Sequence, residues 1–212
     1  MKKYIFLDFN GTIIDDVDLC LDLLNQILEN QKKEKVSKER YKDIFTFPVQ
    51  KYYELAGVDF SLNSFTELAD WFIKTYQPLS MKCGLFPDII NTFAELKRRG
   101  YHLVILSASE KNNLLEQCQN YQIIPYFDAI LGIDNIHAAG KVNLALEYMK
   151  NENISGDDIL FVGDTLHDLE VAKAMHAKCM LVSCGHQSKQ VLEKGNVPIL
   201  TSVNDLLQIL VD

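Results

Sequence analysis

No C-x-x-C pair occurs among the five cysteines (Cys20, Cys83, Cys118, Cys179 and Cys184), and their odd number leaves at least one thiol unpaired. That argues against a disulfide framework and for a reducing compartment, with buried inert thiols as the expectation. Long apolar runs are missing too. The stretch after Met1-Lys2-Lys3 meets Asp8 after four apolar residues, too few for a signal peptide, and no later run could span a bilayer. The expectation is a cytoplasmic protein with no membrane partner. Positive charge is scarce: 21 Lys and Arg against 29 Asp and Glu give a formal net charge of -8 without a basic stripe. Nucleic acid is therefore not an expected partner. Repeats, low-complexity segments and a heptad seam are all absent, so a monomer is the default.

What remains is ordinary globular material. The chain has 212 residues, 48% of them hydrophobic, which suits one large domain or a domain carrying an insertion. The stretch Tyr4-Ile5-Phe6-Leu7-Asp8-Phe9-Asn10-Gly11-Thr12 is a short apolar run ending in a carboxylate and a turn. Buried strands look like this. Taken alone, it fits a strand before a plain Asn-Gly turn as well as it fits a catalytic strand end. Further strand-like runs fall at 101–106, 127–132, 159–162 and 179–182, with a short one at 199–200. Between them lie helical patterns: one opened by Pro87 and closed by Gly100, one after 107–109, one at 142–149, one after Asp164, and a last at 203–210.

That alternation predicts βαβ units and a parallel sheet. Residues 15–82 break it. There the spacing predicts helices at 15–30, 38–45, 49–56 and 61–76, with Gly57 and Pro78 as stops. Ser64 and Glu67 resemble a capping box inside the last of these, and Trp71, Phe72 and Tyr76 read as packing residues. The expected architecture is α/β, with a Rossmann-like core (1–14 and 83–212) bearing helices on both faces and a helical cap inserted at 15–82.

A parallel sheet would point the strand ends at Asp8, Ser107 and Gly163-Asp164 to one rim, where open α/β folds bind ligands. Asp168 adds an acid one helical turn beyond Asp164. Carboxylates gathered together repel unless a cation joins them, and hard oxygen ligands suit Mg2+. Each residue alone has a plainer account. The acids could be helix caps or solvated, Ser107 could be an N-cap unless Ser109 takes that role, and Lys141 could be a surface lysine.

Asp8-Phe9-Asn10-Gly11-Thr12, Ser107, Lys141 and Gly163-Asp164-Thr165-Leu166-His167-Asp168 together resemble, in order, the four motifs of the haloacid dehalogenase (HAD) superfamily. The helical insertion resembles the cap of its phosphoglycolate phosphatase and β-phosphoglucomutase branch. The resemblance implies a sheet order 5-4-1-2-3 and a Mg2+-dependent phosphatase acting on a small phosphorylated metabolite through an aspartyl-phosphate. Asp8 would be the nucleophile, with Asn10 and Lys141 also in catalytic positions. The Mg2+ ligands would be Asp8, the Asn10 backbone carbonyl, Asp164 and Asp168, the last through water or by holding Lys141. Backbone amides around Phe9, Gly11 and Thr12, with Ser107, Ala108 and Lys141, would hold the phosphoryl oxygens. Lys141 lacks the proline that usually follows it in relatives.

Asn10 is the main departure. Phosphatases of the superfamily carry a second Asp there, which protonates the leaving oxygen and later activates water. A carboxamide cannot exchange a proton near neutral pH, and acid–base catalysis contributes about 10²–10⁴-fold. The expectations are a slow phosphatase or one restricted to good leaving groups such as acyl or aryl phosphates, a proton from another group such as His167, or a non-catalytic phosphate-binding protein. His186 could border the site. The Asp164 and Asp168 pair speaks against a metal-free dehalogenase. A phosphonate hydrolase would need a cap lysine, with Lys32, Lys33 and Lys51 available. Phe45, Phe47, Gln50 and Tyr53 are candidates for contacting substrate, and Asn10-Gly11 is a sequence prone to deamidation.

Overall fold

Tyr4–Leu7 forms the central strand, β1, and all four of its side chains are buried. The computed structural model describes residues 3–133 and 140–210, so Met1 and Lys2 of the opening stretch lie outside it. Ile5 and Leu7 enter one apolar cluster, and Tyr4 and Phe6 enter another on the opposite face of the sheet. A strand covered on both faces has no polar side, hence the unbroken apolar run.

After β1 come the short strand β2 (Ile14–Asp15) and the helices α1 (Val17–Asn30), α2 (Lys38–Ile44), α3 (Val49–Ala56) and α4 (Phe65–Ser80). Strand β3 (Gly84–Leu85) pairs antiparallel with β2, tying together the chain's crossings into and out of this helical block. The block has an apolar cluster of its own, built on Val17, Leu24, Leu28, Tyr41, Tyr52 and Leu68. Alternation follows: α5 (Ile89–Arg98), β4 (His102–Glu110), α6 (Lys111–Asn120), β5 (Ala129–Ile133), α7 (Gly140–Glu152) and β6 (Ile159–Gly163). The chain finishes with α8 (Leu166–Ala174), β7 (Lys178–Val182), α9 (Lys189–Leu192), β8 (Ile199–Leu200) and α10 (Leu206–Ile209).

The main sheet runs β5-β4-β1-β6-β7-β8, every neighbouring pair parallel. Leaving aside the small β2–β3 ladder, this is the expected 5-4-1-2-3 order with a sixth strand added beyond the fifth. Helices α5, α6 and α10 pack on the Ile5 face, and α7 and α8 on the Phe6 face. Among the described residues no helix is long and apolar enough to cross a membrane.

Two expectations need correction. Helix α4 starts at Phe65 rather than 61, because the capping box of Ser64 and Glu67 sits at its N-terminus, and it continues through Pro78 to Ser80. Proline's ring and its missing N–H disturb the turn before it, and the helix ends two residues beyond Pro78 rather than at it. Strand β4 does not stop at Leu106 but runs to Glu110, with a register irregularity against β5 between Leu106 and Glu110. Neither Ser107 nor Ser109 caps α6. Glu110 does, accepting from the N–H groups of Asn112 and Asn113.

Candidate active site

Strand register brings the chemistry together. Leu7 pairs with Ile105 on one side and with Val162 on the other, so Asp8, Ser107 and Asp164 leave the sheet at one edge, and all three are buried. The Asp8 N–H donates to the Val162 carbonyl (2.9 Å), which keeps its backbone in line with the sheet. Lys141, in the first turn of α7, reaches across with Nζ donating to Asp8 Oδ1 and, at 2.6 Å, to Asp168 Oδ1. The second Asp168 oxygen accepts from the Thr165 N–H (3.0 Å) and hydroxyl (2.7 Å), the capping box that starts α8. Asp168 is therefore both helix cap and lysine holder, one oxygen for each. Asp164 accepts from the His186 N–H at 2.6 Å. Its carboxylate is so closely wrapped that a Cβ on Gly11 or Gly185 would collide with it, and Gly11 also has φ +68°.

The turn after β1 uses part of its backbone internally. The Phe9 side chain belongs to the core, and the Thr12 hydroxyl lies 3.4 Å from Asp164 Oδ1. Gly11 N–H donates to the Ile14 carbonyl (3.0 Å) and to Asp16 Oδ1 (2.9 Å), and Thr12 N–H points to the Phe9 carbonyl (3.4 Å). These two amides, expected to hold phosphoryl oxygens, are engaged inside the turn. The amide nitrogen that would attack the Asn10 side chain in deamidation is held in the same way. Ser107 arrives on the irregular stretch of β4, its Oγ accepting from Ser109 N–H (3.1 Å), with Ala108 exposed beside it.

Asn10 is held from three sides. Its Nδ2 donates to Asp16 Oδ2 (2.9 Å) and to the Tyr76 hydroxyl (2.6 Å), and its Oδ1 accepts from Ser109 Oγ (3.2 Å). Asp16 is the residue that sequence reasoning missed. Fully buried at the start of α1, it accepts from Gly11, Asn10 and the Tyr76 hydroxyl (2.6 Å) and lies 3.3 Å from His186 Nε2. An acid just before an apolar helical stretch reads as an N-cap, yet Asp16 makes no side-chain cap bond and turns back to the Asn10 turn instead. The Nδ1 of His186 is 2.7 Å from the Tyr41 hydroxyl, and Phe45 stacks on its ring at 4.8 Å. His167 packs against Phe47 (4.7 Å) with Nδ1 3.2 Å from Glu170 Oε2.

The helical block roofs this edge and encloses a cavity of about 380 Å³. Phe65, Ala69, Phe72, Ile73 and Tyr76 line it as one stripe of α4, whereas Leu68 and Trp71 face the block's own core. Phe72 and Tyr76 are thus cavity residues rather than packing residues. Phe45, Phe47 and Tyr53 line the cavity as expected, but Gln50 does not, nor do Lys32, Lys33 and Lys51, which are exposed elsewhere. A Schiff-base mechanism therefore lacks its cap lysine. Lys42 Nζ bonds the Ser183 carbonyl (3.1 Å), Gln187 Nε2 the Phe45 carbonyl (2.8 Å) and Gln77 Nε2 the Asn113 carbonyl (3.1 Å), which pins the roof on both sides.

Electrostatics set the floor apart. Three buried carboxylates (Asp8, Asp164 and Asp168) face one ammonium and lie within 4.8 Å of one another, so that with all three ionised two negative charges are unbalanced. Burial, reinforced by Asp168 and Asp164 against the opposing pull of Lys141, pushes Asp8 up to about 8. Burial likewise raises Asp164 to about 6, despite the nearby His186. Burial would raise Asp168 too, but the Lys141 charge and hydrogen bonds from Lys141 and Thr165 hold it below the ordinary range. Lys141, which burial alone would lower, is kept above its usual range by Asp168 and Asp8. Beside the cluster, burial opposes the charging of His186, but Asp16, Asp164 and Asp8 outweigh it and lift the imidazole to about 9. The unbalanced cluster of hard oxygens fits a divalent cation such as Mg2+. Asp16, Cys20 and His186 also converge, but Asp16 and His186 already bond each other, Tyr76 and Tyr41.

A family model for haloacid dehalogenase-like hydrolases matches residues 4–182. A phosphoglycolate phosphatase from Photorhabdus laumondii is 25% identical over 216 residues, covering 97% of this chain and 91% of that protein. Phosphoglycolate phosphatase 1 of Pseudomonas aeruginosa is 25% identical over 138 residues, which is 64% of this chain but only 51% of that longer protein. A solved haloacid dehalogenase-like family protein from Streptococcus pneumoniae superposes with a TM-score of 0.82 at 17% identity, covering 98% of both chains.

Proposed function

The chain belongs to the haloacid dehalogenase-like hydrolase family, and we propose that it is a Mg2+-dependent phosphatase that carries the phosphoryl group on Asp8. One observation carries this reading: Asp8 is a buried carboxylate at the strand end that lines the cavity, bonded to Lys141 in a cluster short of positive charge. The two relatives at 25% identity named above are phosphoglycolate phosphatases, and their phosphoryl chemistry, not their substrate, is what we carry over. In this reading 15–82 is the cap, and the five free thiols support a cytoplasmic location.

Asp8, the Asn10 backbone carbonyl and Asp164 would hold Mg2+. Asp168, both of whose oxygens are already engaged, acts instead by orienting Lys141. When bound, the cation neutralises charge shared between the carboxylate nucleophile and the anionic phosphate. Asp8 attacks phosphorus, the bond to the leaving oxygen breaks, and water later hydrolyses the aspartyl-phosphate. Lys141 Nζ, Ser107 Oγ and the amides of Phe9 and Asn10 stabilise the equatorial oxygens, since the Gly11 and Thr12 amides are committed elsewhere. Asn10 cannot protonate the leaving oxygen. The neighbouring candidates are turned away: His186 faces Asp16 and Tyr41, and His167 faces Glu170. The enzyme is accordingly slow on alkyl phosphates.

The test is acid-quenched incubation with acetyl phosphate and Mg2+, followed by peptide mass spectrometry. A phosphoryl adduct on the peptide holding Asp8, absent in Asp8→Asn, supports the mechanism. Mg2+-dependent phosphate release that survives in Asp8→Asn overturns it.

A further inference from the structure

We propose that the phosphomonoester taken by this site is that of an apolar, ring-sized alcohol, best a phenol, with no second anionic group. This rests on the phosphatase reading and concerns what the phosphoryl group is attached to. The first observation is the chemistry of the roof. Every residue that 17–80 contributes to the cavity is uncharged, and most are aromatic, including Phe45, Tyr52, Tyr53, Phe65, Phe72 and Tyr76. The hydroxyls of Tyr41 and Tyr76 are engaged by His186 and by Asp16 and Asn10, so those two polar tips are already taken.

The second observation is charge. Among the described residues Lys141 is the one lysine in the wall and no arginine joins it, and its ammonium is bonded to Asp8 and Asp168. The other cation in the wall, the His186 imidazolium, is held between Asp16 and the Tyr41 hydroxyl, so a carboxylate on the substrate's organic part, as in phosphoglycolate, would meet no cation that is not already paired. It would also share the cavity with Asp16 and Glu110. Burying an unpaired anion beside carboxylates is costly, whereas burying a ring against rings is favourable. On the side of Phe47 and Ile73 the wall stays apolar out to solvent, these two side chains being 36% and 53% exposed, while the exposed Glu110 marks another edge.

The third is Asn10. With no acid at that position, the departing oxygen must leave as an anion, which a phenolate does far more readily than an alkoxide. The step balances without a further reactant. Asp8 Oδ forms the new bond to phosphorus, the bond from phosphorus to the aryl oxygen breaks, and the electron pair departs on the phenolate, which bulk water protonates. Water then attacks phosphorus, the Asp8–phosphate bond breaks, and the carboxylate and inorganic phosphate are regenerated, with the excess proton passing to solvent.

The experiment compares 1-naphthyl phosphate, methyl phosphate and 2-phosphoglycolate as substrates with Mg2+. Calorimetry of benzylphosphonate and phosphonoacetate reads binding alone. The expected result is kcat/KM at least about tenfold higher for naphthyl phosphate than for phosphoglycolate, and the same order of preference in binding. Phe72→Ala should reduce the naphthyl-to-methyl ratio about tenfold. Ile73→Lys, at a half-exposed site that folding tolerates, should shift preference toward phosphoglycolate by supplying the missing cation. Equal or better use of phosphoglycolate by the unaltered protein overturns the substrate class and leaves the phosphatase reading standing. No turnover of any ester, with benzylphosphonate still bound about tenfold more tightly than phosphonoacetate, removes the phosphatase reading and keeps the ligand class. Preference in neither assay, or an Ile73→Lys variant indifferent to the carboxylate, removes the ligand class.

Discussion

The floor and the roof of the cavity are built on opposite principles. The floor packs Asp8, Asp164, Asp168 and Lys141 into a site that carries two unbalanced charges once all its acids are ionised, each side chain fixed by a strand end or a helix start. The roof is a shell of rings on α2, α3 and α4 and the loop after α2, with no charge in its lining. A charged cluster has few arrangements that satisfy it, so its residues tolerate little change. An apolar wall tolerates swaps of similar volume. On the proposed mechanism chemistry belongs to the first and selectivity to the second.

The comparison breaks first if floor substitutions prove mild. If Asp8 is the nucleophile as proposed, Asp8→Asn should lower turnover by at least about 10³-fold, because nothing else in the cluster could replace it; steady-state phosphate release with an unchanged circular dichroism spectrum is the measurement. Lys141→Ala should cost the metal-free fold about 3–5 kcal/mol, since it leaves buried acids unpaired. Denaturant titration with and without Mg2+ checks this, the cation recovering part of the loss. Asn10→Asp should raise kcat on alkyl phosphates roughly tenfold, a fraction of the full acid–base contribution. It also sets a second carboxylate against Asp16, so melting temperature should fall, and the added change Asp16→Asn should recover it.

A pH titration sharpens the contrast. In the metal-free protein Asp8 keeps its proton up to about 8, whereas the unfolded carboxyl, with a value of 3.8, has already lost its own. The folded state therefore binds more protons in that window, and stability should fall as pH rises through it, by at most about 1.4 kcal/mol per unit for each proton difference. Mg2+ should flatten the profile at the alkaline end. A flat profile without metal would mean that the floor carries no unbalanced charge. The smallest effect belongs to the roof: Ile73→Lys, at a position 53% exposed, should change stability by no more than about 0.5 kcal/mol.

The floor was legible because its residues sit at sequence landmarks. Asp8 and Asp164 each end a buried apolar run, and Asp168 stands three residues after a capping threonine. Strand alternation then required their convergence. Asp16 was illegible although it touches Asn10, because an acid before a helix has an adequate local explanation and only tertiary contact reveals the other. Phe72 and Tyr76 were misassigned for a related reason: an aromatic stripe on a helix looks the same whether it faces a core or a cavity. The Gly11 and Thr12 amides looked available because a turn's internal hydrogen bonds depend on its folded path.

Sequence alone determined the α/β order, the strand ends and the carboxamide at position 10, since periodicity, turn residues and side-chain identity are local properties. Tertiary structure decided that Lys141 bridges Asp8 and Asp168, that Asp16 grips Asn10, and that rings without charge close the cavity. Those are meetings between segments separated by up to more than a hundred residues. Their partners are chosen by how the layers pack, and no local pattern encodes that choice.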